Sequence, residues 1–502
     1  MKTILEALQD TVKKYPEKIA FAELKKEVTY LEFNNISKNI GTALINYEKK
    51  CQPIAIFIDK TINCLASMFG ILYSGNFYTI IDTNMPKDRV ETILDTLNPF
   101  CIITDEINAK KLEIISTSVR TLFYENLIDT TSDEIKLKNI YDELIDTDPA
   151  YVLFTSGSTG IPKGTLINHH ALMAYSNWFT KTFSITEQTI FGSQTPFYFS
   201  MSVSDIFGTI KSGATFHIIP KMFFSFPIRL LEFLNEKKIN TIYWVPSALA
   251  IVANMKALDE ILPTTLEKIL FAGEVMPTKQ LNIWHKHLPN VMYANLFGPT
   301  ETTDICTYYI VSRIFADTEP LPIGKHCDNC DVFILKEDGT KANGSEEGEL
   351  YARGSFLSSG YYNNSDKTKE AFVQNPLNKS YPEVVYKTGD IVKYNEKGEL
   401  IYLSRRDFQI KHMGYRIELG EIEMNINAIE DIITCACIYE DDKIILYYVS
   451  NVVNEEKMAT IIKNSLVSYM VPNVINKIEK MPYNANGKID RSALKQIYKG
   501  EK

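Results

Sequence analysis

The stretch FTSGSTGIPKGT, Phe154 to Thr165, gathers three glycines, a proline and five hydroxyl side chains around one lysine. It follows AYVLF (Ala150 to Phe154), whose apolar, β-branched and aromatic residues predict a buried strand, so the loop hangs from a rigid support. Glycine admits positive φ and close backbone approach, so such a turn can present N–H groups and hydroxyls to an anion, phosphate first among them. The lysine precedes its glycine (PKGT), so the G-x-x-x-x-G-K-[ST] order of a P-loop is not met. A flexible Gly/Ser linker is the competing reading of this stretch alone.

Three further loops carry chemistry-bearing residues. NLFGPTETTD, Asn295 to Asp304, follows the strand-like VMYA and sets Thr300 beside Glu301. A hydroxyl next to a carboxylate suits Mg²⁺ on a nucleotide phosphate, and equally suits a capped helix start. In YKTGD, Tyr386 to Asp390, an aspartate after a glycine turn can accept from ribose hydroxyls, or simply close a turn. In NGKID, Asn486 to Asp490, Lys488 follows a tight turn and, taken alone, is a solvated charge.

The elements that must position these loops alternate. LEFNNISKNIGTALINYEKK predicts a helix, PIAIFI a strand, TINCLASMFGILYSG a helix and FYTIID a strand, a layered α/β architecture with largely parallel sheets. Near residue 400 the texture changes, through ELIYLS and RRDFQIK, to HMGYRIELGEIEMNINAI, which predicts a loop running into a helix. The boundary expected there separates a large α/β domain, 1–403, from a small α+β domain, 404–502, with a strand pair in CACIYEDDKIILYYV and a helix around Lys457 to Val467.

Composition narrows the function classes. At 502 residues, 45% hydrophobic and 23% charged, the chain can bury several cores. A net charge of −9 argues against a general nucleic-acid binder, which needs a basic face. The N-terminal MKTILEALQDTVKKYPEKIAF predicts an amphipathic helix rather than a signal peptide, and no apolar run reaches a membrane span, which places the protein in the cytoplasm. The eight cysteines form no disulfide framework; Cys327 and Cys330 in KHCDNCD lack the second pair of a zinc site and are expected to be a chance pair in a loop.

Read in order, AYVLFTSGSTGIPKG, NLFGPTE, GELYARGSFLSSGYY, YKTGD, SRRDFQIKHMGYRIELGEIE and NANGKIDRSAL resemble the acyl-adenylate-forming superfamily over nearly the whole chain, joined by VTYLEF at Val28 and GNFYTIID at Gly75. The wording is that of the amino-acid-adenylating branch, with its peptide-synthetase adenylation domains and D-alanine:carrier-protein ligases. The resemblance implies a two-step ligase. A carboxylate attacks the α-phosphorus of Mg-ATP, pyrophosphate leaves, and a thiol then takes the acyl group from AMP. The acceptor thiol would belong to a separate phosphopantetheinylated carrier protein, since no carrier domain follows Lys502. CoA as acceptor, or an inactive module keeping the fold, are the alternatives.

Carried over, Thr155, Ser156, Gly157, Ser158, Thr159, Gly160 and Lys163 would wrap the departing phosphates. Asn295, Leu296 and Phe297 would border the adenine, with Gly298, Pro299 and Tyr402 in the same nucleotide site. Thr300 would meet the α-phosphate, Glu301 the Mg²⁺, and Asp390 with Arg405 the ribose. Lys488 would be the catalytic lysine and Asp407 the hinge of the small domain.

One departure bears on the substrate. The aspartate that usually holds an α-ammonium is replaced by Ser200, which supplies no charge. The rest of the implied pocket is Met201, Ser204, Tyr243, Leu270, Ala272, Leu296, Asp304 and Ile305, with Asp304 its one carboxylate. Asp304 is expected either to face a displaced amino or hydroxyl group of a β-, ω-amino or hydroxylated acid, or to turn away and bind backbone.

Overall fold

The computed structural model describes residues 2–157, 161–406, 409–429, 431–483 and 489–500. The apolar strand Pro53–Phe57 is buried along its whole length, which requires cover on both faces. It sits inside a six-stranded sheet, parallel to Phe77–Ile80 and Cys101–Thr104, and the sheet continues to Pro149–Thr155. Lys163–Asn168 returns antiparallel at the edge, so the expected phosphate loop joins two paired strands. The helix Tyr30–Ile45 starts where Thr29 and Glu32 satisfy each other's backbone N–H groups, a capping box. The N-terminal helix Ile4–Lys14 buries Ile4, Leu5 and Leu8, as its periodicity predicts.

A nine-stranded sheet sets Thr241–Trp244, Lys268–Phe271 and Met292–Phe297 side by side in parallel, with antiparallel strands at both ends. Ligand sites of α/β sheets lie beyond the carboxyl ends of such strands. The third sheet corrects the expectation of largely parallel pairing. Cys330–Leu335, Gly348–Gly354, Val384–Tyr394, Phe372–Gln374 and Leu400–Arg405 pair antiparallel throughout. No helix separates Leu335 from Gly348 or Tyr394 from Leu400, so the chain reverses there without the crossover that parallel strands need.

YKTGD is likewise not a free turn. It lies within Val384–Tyr394, where the register against Gly348–Gly354 slips and residues 388–390 bulge. Ser404 and Arg405 complete the strand Leu400–Arg405.

Beyond it, Thr434–Glu440, Lys443–Val449 and Val474–Lys477 form a three-stranded sheet. The helices Leu419–Asn427 and Glu455–Ser465 cover it around Ile417, Ile422, Leu446 and Met458, a core distinct from the large one. The segment expected as a loop before the first of these helices is a hairpin, Gln409–His412 paired with Tyr415–Glu418. Its two turn residues, Met413 (φ 51°) and Gly414 (φ 81°), both lie in the left-handed region, as a two-residue turn that matches strand twist requires. Methionine at such a position is not a turn signal, which is why the hairpin is hidden in the sequence.

Candidate active site

The hairpin reaches into the large domain. Gly414 donates its N–H to Glu274 at 2.7 Å, and a Cβ on Gly414 would fall 2.3 Å from a Val245 methyl, so only glycine fits this turn. Tyr415 stacks on Tyr469 with ring centroids 3.9 Å apart. Arg416, one residue further, points inward and donates to Glu301 at 2.7 Å.

Glu301 is fully buried on the short turn Thr300–Thr302 and also accepts from Tyr361 Oη at 2.6 Å. Burial pushes its carboxyl up, but Arg416 and then Lys163 outweigh burial and hold it at about 2. Arg416 takes Oε2 and Tyr361 takes Oε1, so with the hairpin seated Glu301 does not fit a Mg²⁺ ion, and no step is routed through a metal here. Among the described residues no group of three or more metal-ligating side chains occurs, and Cys327 and Cys330 are buried packing residues.

The described part of the phosphate loop is also engaged. Ser156 Oγ donates to the Arg416 carbonyl at 2.6 Å and accepts from the Glu418 N–H at 3.2 Å. Gly157 donates its N–H to Glu421 at 3.3 Å, and Glu421 in turn pairs with Arg89. Thr155 lies at the strand end, its hydroxyl 3.5 Å from the Lys163 carbonyl. Lys163 lies 3.9 Å from Glu418 and 5.4 Å from the centre of the Tyr361 ring; burial lowers its pKa. Of the donors expected to hold phosphate, Ser156 and Gly157 are thus spent on the hairpin and the helix after it. Ser158, Thr159, Gly160, Asp407 and Lys488 lie outside the described residues.

The residues expected around the nucleotide do come together. Asn295, Phe297, Tyr402 and Arg405 line a cavity of about 860 Å³ between the large domain, the hairpin and the three-stranded sheet. Phe297 and Tyr402 rings lie 5.7 Å apart, and Lys411 sits 4.3 Å from the Phe297 ring centre, a cation–π contact. The Asn295 amide donates to the Pro322 carbonyl at 2.9 Å. Asp390 accepts from Arg405 at 3.1 Å, and Gly389 (φ 75°) is needed between them because a Cβ there would lie 2.8 Å from the guanidinium.

A second, small space of about 30 Å³ opens off this cavity, bordered by Ser200, Met201, Ala272, Gly298, Thr300 and Asp304. Pro299 and Ile305 also border it, whereas Leu270 and Leu296 are buried in their strands and do not. Thr300 donates to Ser200 Oγ at 3.3 Å. Asp304 does not turn away to backbone: its Oδ2 lies 3.0 Å from each of Tyr175 Oη, Ser204 Oγ and Tyr243 Oη. Burial pushes its carboxyl up to about 6 against the bonds from Ser204, Tyr243, Tyr175 and Ser200.

Arg416, Tyr361, Glu418, Lys411 and Tyr175 were not singled out from sequence. The first four sit within or beside motifs already quoted; Tyr175 lies mid-helix in His169–Thr182, where nothing nearby marks its hydroxyl.

The AMP-binding enzyme family matches residues 8–362. Tyrocidine synthase 1 of Brevibacillus parabrevis is 29% identical over 98% of this chain, which spans only 45% of that protein's length. A D-alanine–D-alanyl carrier protein ligase of Bacillus velezensis is 28% identical, with 98% of each chain covered. The solved o-succinylbenzoate CoA synthetase of Bacillus subtilis shares the fold, with a TM-score of 0.84 at 21% identity, covering 99% of this chain and 98% of that one. Among the described residues no helix is long and apolar enough to cross a membrane. With a glycine-rich loop after a buried strand, a Thr–Glu turn beside it and a family match over most of its length, the chain belongs to the AMP-binding enzyme family.

Proposed function

We propose that the chain activates a small carboxylic acid with ATP and passes the acyl group to the phosphopantetheine thiol of a carrier protein. In the first step a carboxylate oxygen bonds to the α-phosphorus, the α–β bridging bond breaks, and pyrophosphate leaves with the electron pair. In the second a thiolate sulfur bonds to the acyl carbon, the bond between that carbon and the oxygen bridging it to phosphorus breaks, and AMP leaves with that oxygen and the electron pair. ATP enters with family membership; Mg²⁺ would require Arg416 to leave Glu301 first. The division into domains 1–403 and 404–502, with Lys488 and the hinge Asp407 on the small one, belongs to the same proposal.

The observation that carries this reading is the engagement of Ser156, Gly157 and Glu301 by residues 416–421. A chain that performed only adenylation would have no use for an arrangement in which the phosphate-binding donors are withdrawn. One that must next admit a thiol does, because the same arrangement leaves an open cavity of about 860 Å³ against the nucleotide residues. A carrier-borne arm suits that cavity better than free CoA. Two of its outer cations are already committed, Arg491 to Glu423 at 2.7 Å and Lys495 to Glu440 at 2.9 Å, which leaves less positive charge for a CoA diphosphate.

The test is trapping of the adenylate with hydroxylamine in the wild type and in Lys488→Ala. The wild type should form hydroxamate and pyrophosphate, and the variant should lose about a hundredfold or more in rate, the usual cost of removing one preorganised transition-state charge. Equal signals from both would sink the mechanism. Discharge of the adenylate by a holo-carrier protein, compared with CoA, then identifies the acceptor.

A further inference from the structure

Asp304 stands on the loop that joins the antiparallel strands Met292–Phe297 and Thr307–Ile310. The residue before it, Thr303, has φ 69°, a region that a β-branched residue occupies only under strain. The Thr303 hydroxyl donates to the Phe356 carbonyl at 2.8 Å and holds the kink in place. That kink delivers a carboxylate, 2% exposed, to the floor of the small pocket.

The surroundings solvate this charge without neutralising it. Three hydroxyls from three elements, the helices His169–Thr182 and Ser202–Ser212 and the strand Thr241–Trp244, converge on Oδ2. Tyr175 Oη and Ser204 Oγ are themselves 2.7 Å apart, so one gives its proton to the other, and Oδ2 receives two O–H donors at a time rather than three. Among the described residues no cation pairs with Asp304, although Arg405, Arg416 and Lys411 border the same space; the arginines are bound to Asp390 and Glu301, and Lys411 lies over the Phe297 ring. A buried carboxylate without a counter-charge is costly, so the cage is complete only with a cation from the ligand. Burial raises its pKa to about 6, while the bonds from Ser204, Tyr243, Tyr175 and Ser200 favour the ionised form.

Position and size narrow that ligand. Ser200, uncharged, stands where an α-ammonium would seek its carboxylate, and it bonds to Thr300 at 3.3 Å, at the end of the pocket where the acid would react. Of the two carboxylates among the described residues that border the pocket, Asp390 is paired with Arg405, which leaves Asp304 to meet an ammonium. The free space of about 30 Å³, walled by Met201, Ala272 and Ile305, leaves room for a substrate group of only about one or two heavy atoms. We infer that Asp304, held by Tyr175, Ser204 and Tyr243, is the receptor for a substrate ammonium set one carbon beyond the α-position, so that the acid activated is a short β-amino acid. This inference rests on the adenylation reading above.

The test is ATP–pyrophosphate exchange with β-alanine, 3-aminobutanoate, D- and L-alanine, propanoate and 3-hydroxypropanoate. The β-amino acids should give the highest kcat/KM. Asp304→Asn should lower it for them by about a hundredfold or more, the scale of losing one partner of a buried ion pair, while propanoate changes only a few-fold. Ser204→Ala and Tyr243→Phe, which keep the charge, should each cost about tenfold for the β-amino acids alone, and they carry the test if Asp304→Asn fails to fold. Best turnover of an α-amino or uncharged acid, or an equal loss for propanoate in these variants, overturns the inference and leaves adenylation standing. Exchange with no acid at all overturns both.

Discussion

Arg416 and Glu301, 115 residues apart in sequence, meet at 2.7 Å in the interior and join the hairpin of the small domain to the turn beneath the expected α-phosphate site. Breaking one partner of a buried pair costs about 3–5 kcal/mol where the pair is formed. The pair exists only with the hairpin seated, so that cost should fall on the thiol step. Arg416→Ala is expected to keep pyrophosphate exchange within about threefold while slowing single-turnover discharge of the adenylate by at least about tenfold. Equal losses in both half-reactions would show that Arg416 serves activation as well.

Gly414 offers a steric version of the same experiment. Alanine there would need φ 81° and would place its Cβ 2.3 Å from a Val245 methyl. Gly414→Ala should impair discharge and spare exchange, and Val245→Ala in the same chain should restore part of the loss by removing the clash. The double variant behaving no better than the single one would leave backbone strain as the whole effect.

Acid should unfasten the seated arrangement. The Glu301 carboxyl, ordinarily at 4.5, is held at about 2 by Arg416 and Lys163 against burial. A depressed folded pKa means stability that is fully present above about pH 4.5 and is lost as pH falls toward 2, on the order of 3 kcal/mol in all. Chemical denaturation between pH 5 and pH 3 should therefore show a steeper loss for the wild type than for Glu301→Gln.

Asp304 titrates in the opposite sense. Its carboxyl is raised from 3.8 to about 6 by burial, with Tyr175, Tyr243, Ser204 and Ser200 facing it. The native state holds that proton longer than the unfolded chain, so this group's contribution to stability declines as pH rises from about 4 to 6. Asp304→Asn should accordingly raise the melting temperature at pH 7 and change it little at pH 4. Binding runs the other way: an ammonium needs the ionised form, so kcat/KM for a β-amino acid should fall about tenfold per unit below pH 6, whereas that for propanoate should not.

The core of the six-stranded sheet was legible because runs such as PIAIF and AYVL are buried on both faces and read as strands from composition alone. The ordered motifs also located the small pocket: Ser200, Met201, Ala272, Asp304 and Ile305 border one space. What escaped depends on partners distant in sequence. YKTGD reads as a turn until its neighbours Gly348–Gly354 and Leu400–Arg405 make it a bulged strand. Tyr175 is one aromatic among several on an apolar helix, and only the fold turns its hydroxyl toward Asp304. Leu270 and Leu296, motif positions implied to line the pocket, are used up in packing the strands that carry it.

Ser156 and Gly157 cannot serve two masters. On the proposed reading, with Arg416, Glu418 and Glu421 holding them, these two donors are withheld from returning pyrophosphate, so reversal of the adenylate would be slowed by obstruction rather than by weak affinity. On the same reading the hairpin would act as a pawl: once seated it would favour departure of the activated acid in the forward direction, toward the thiol.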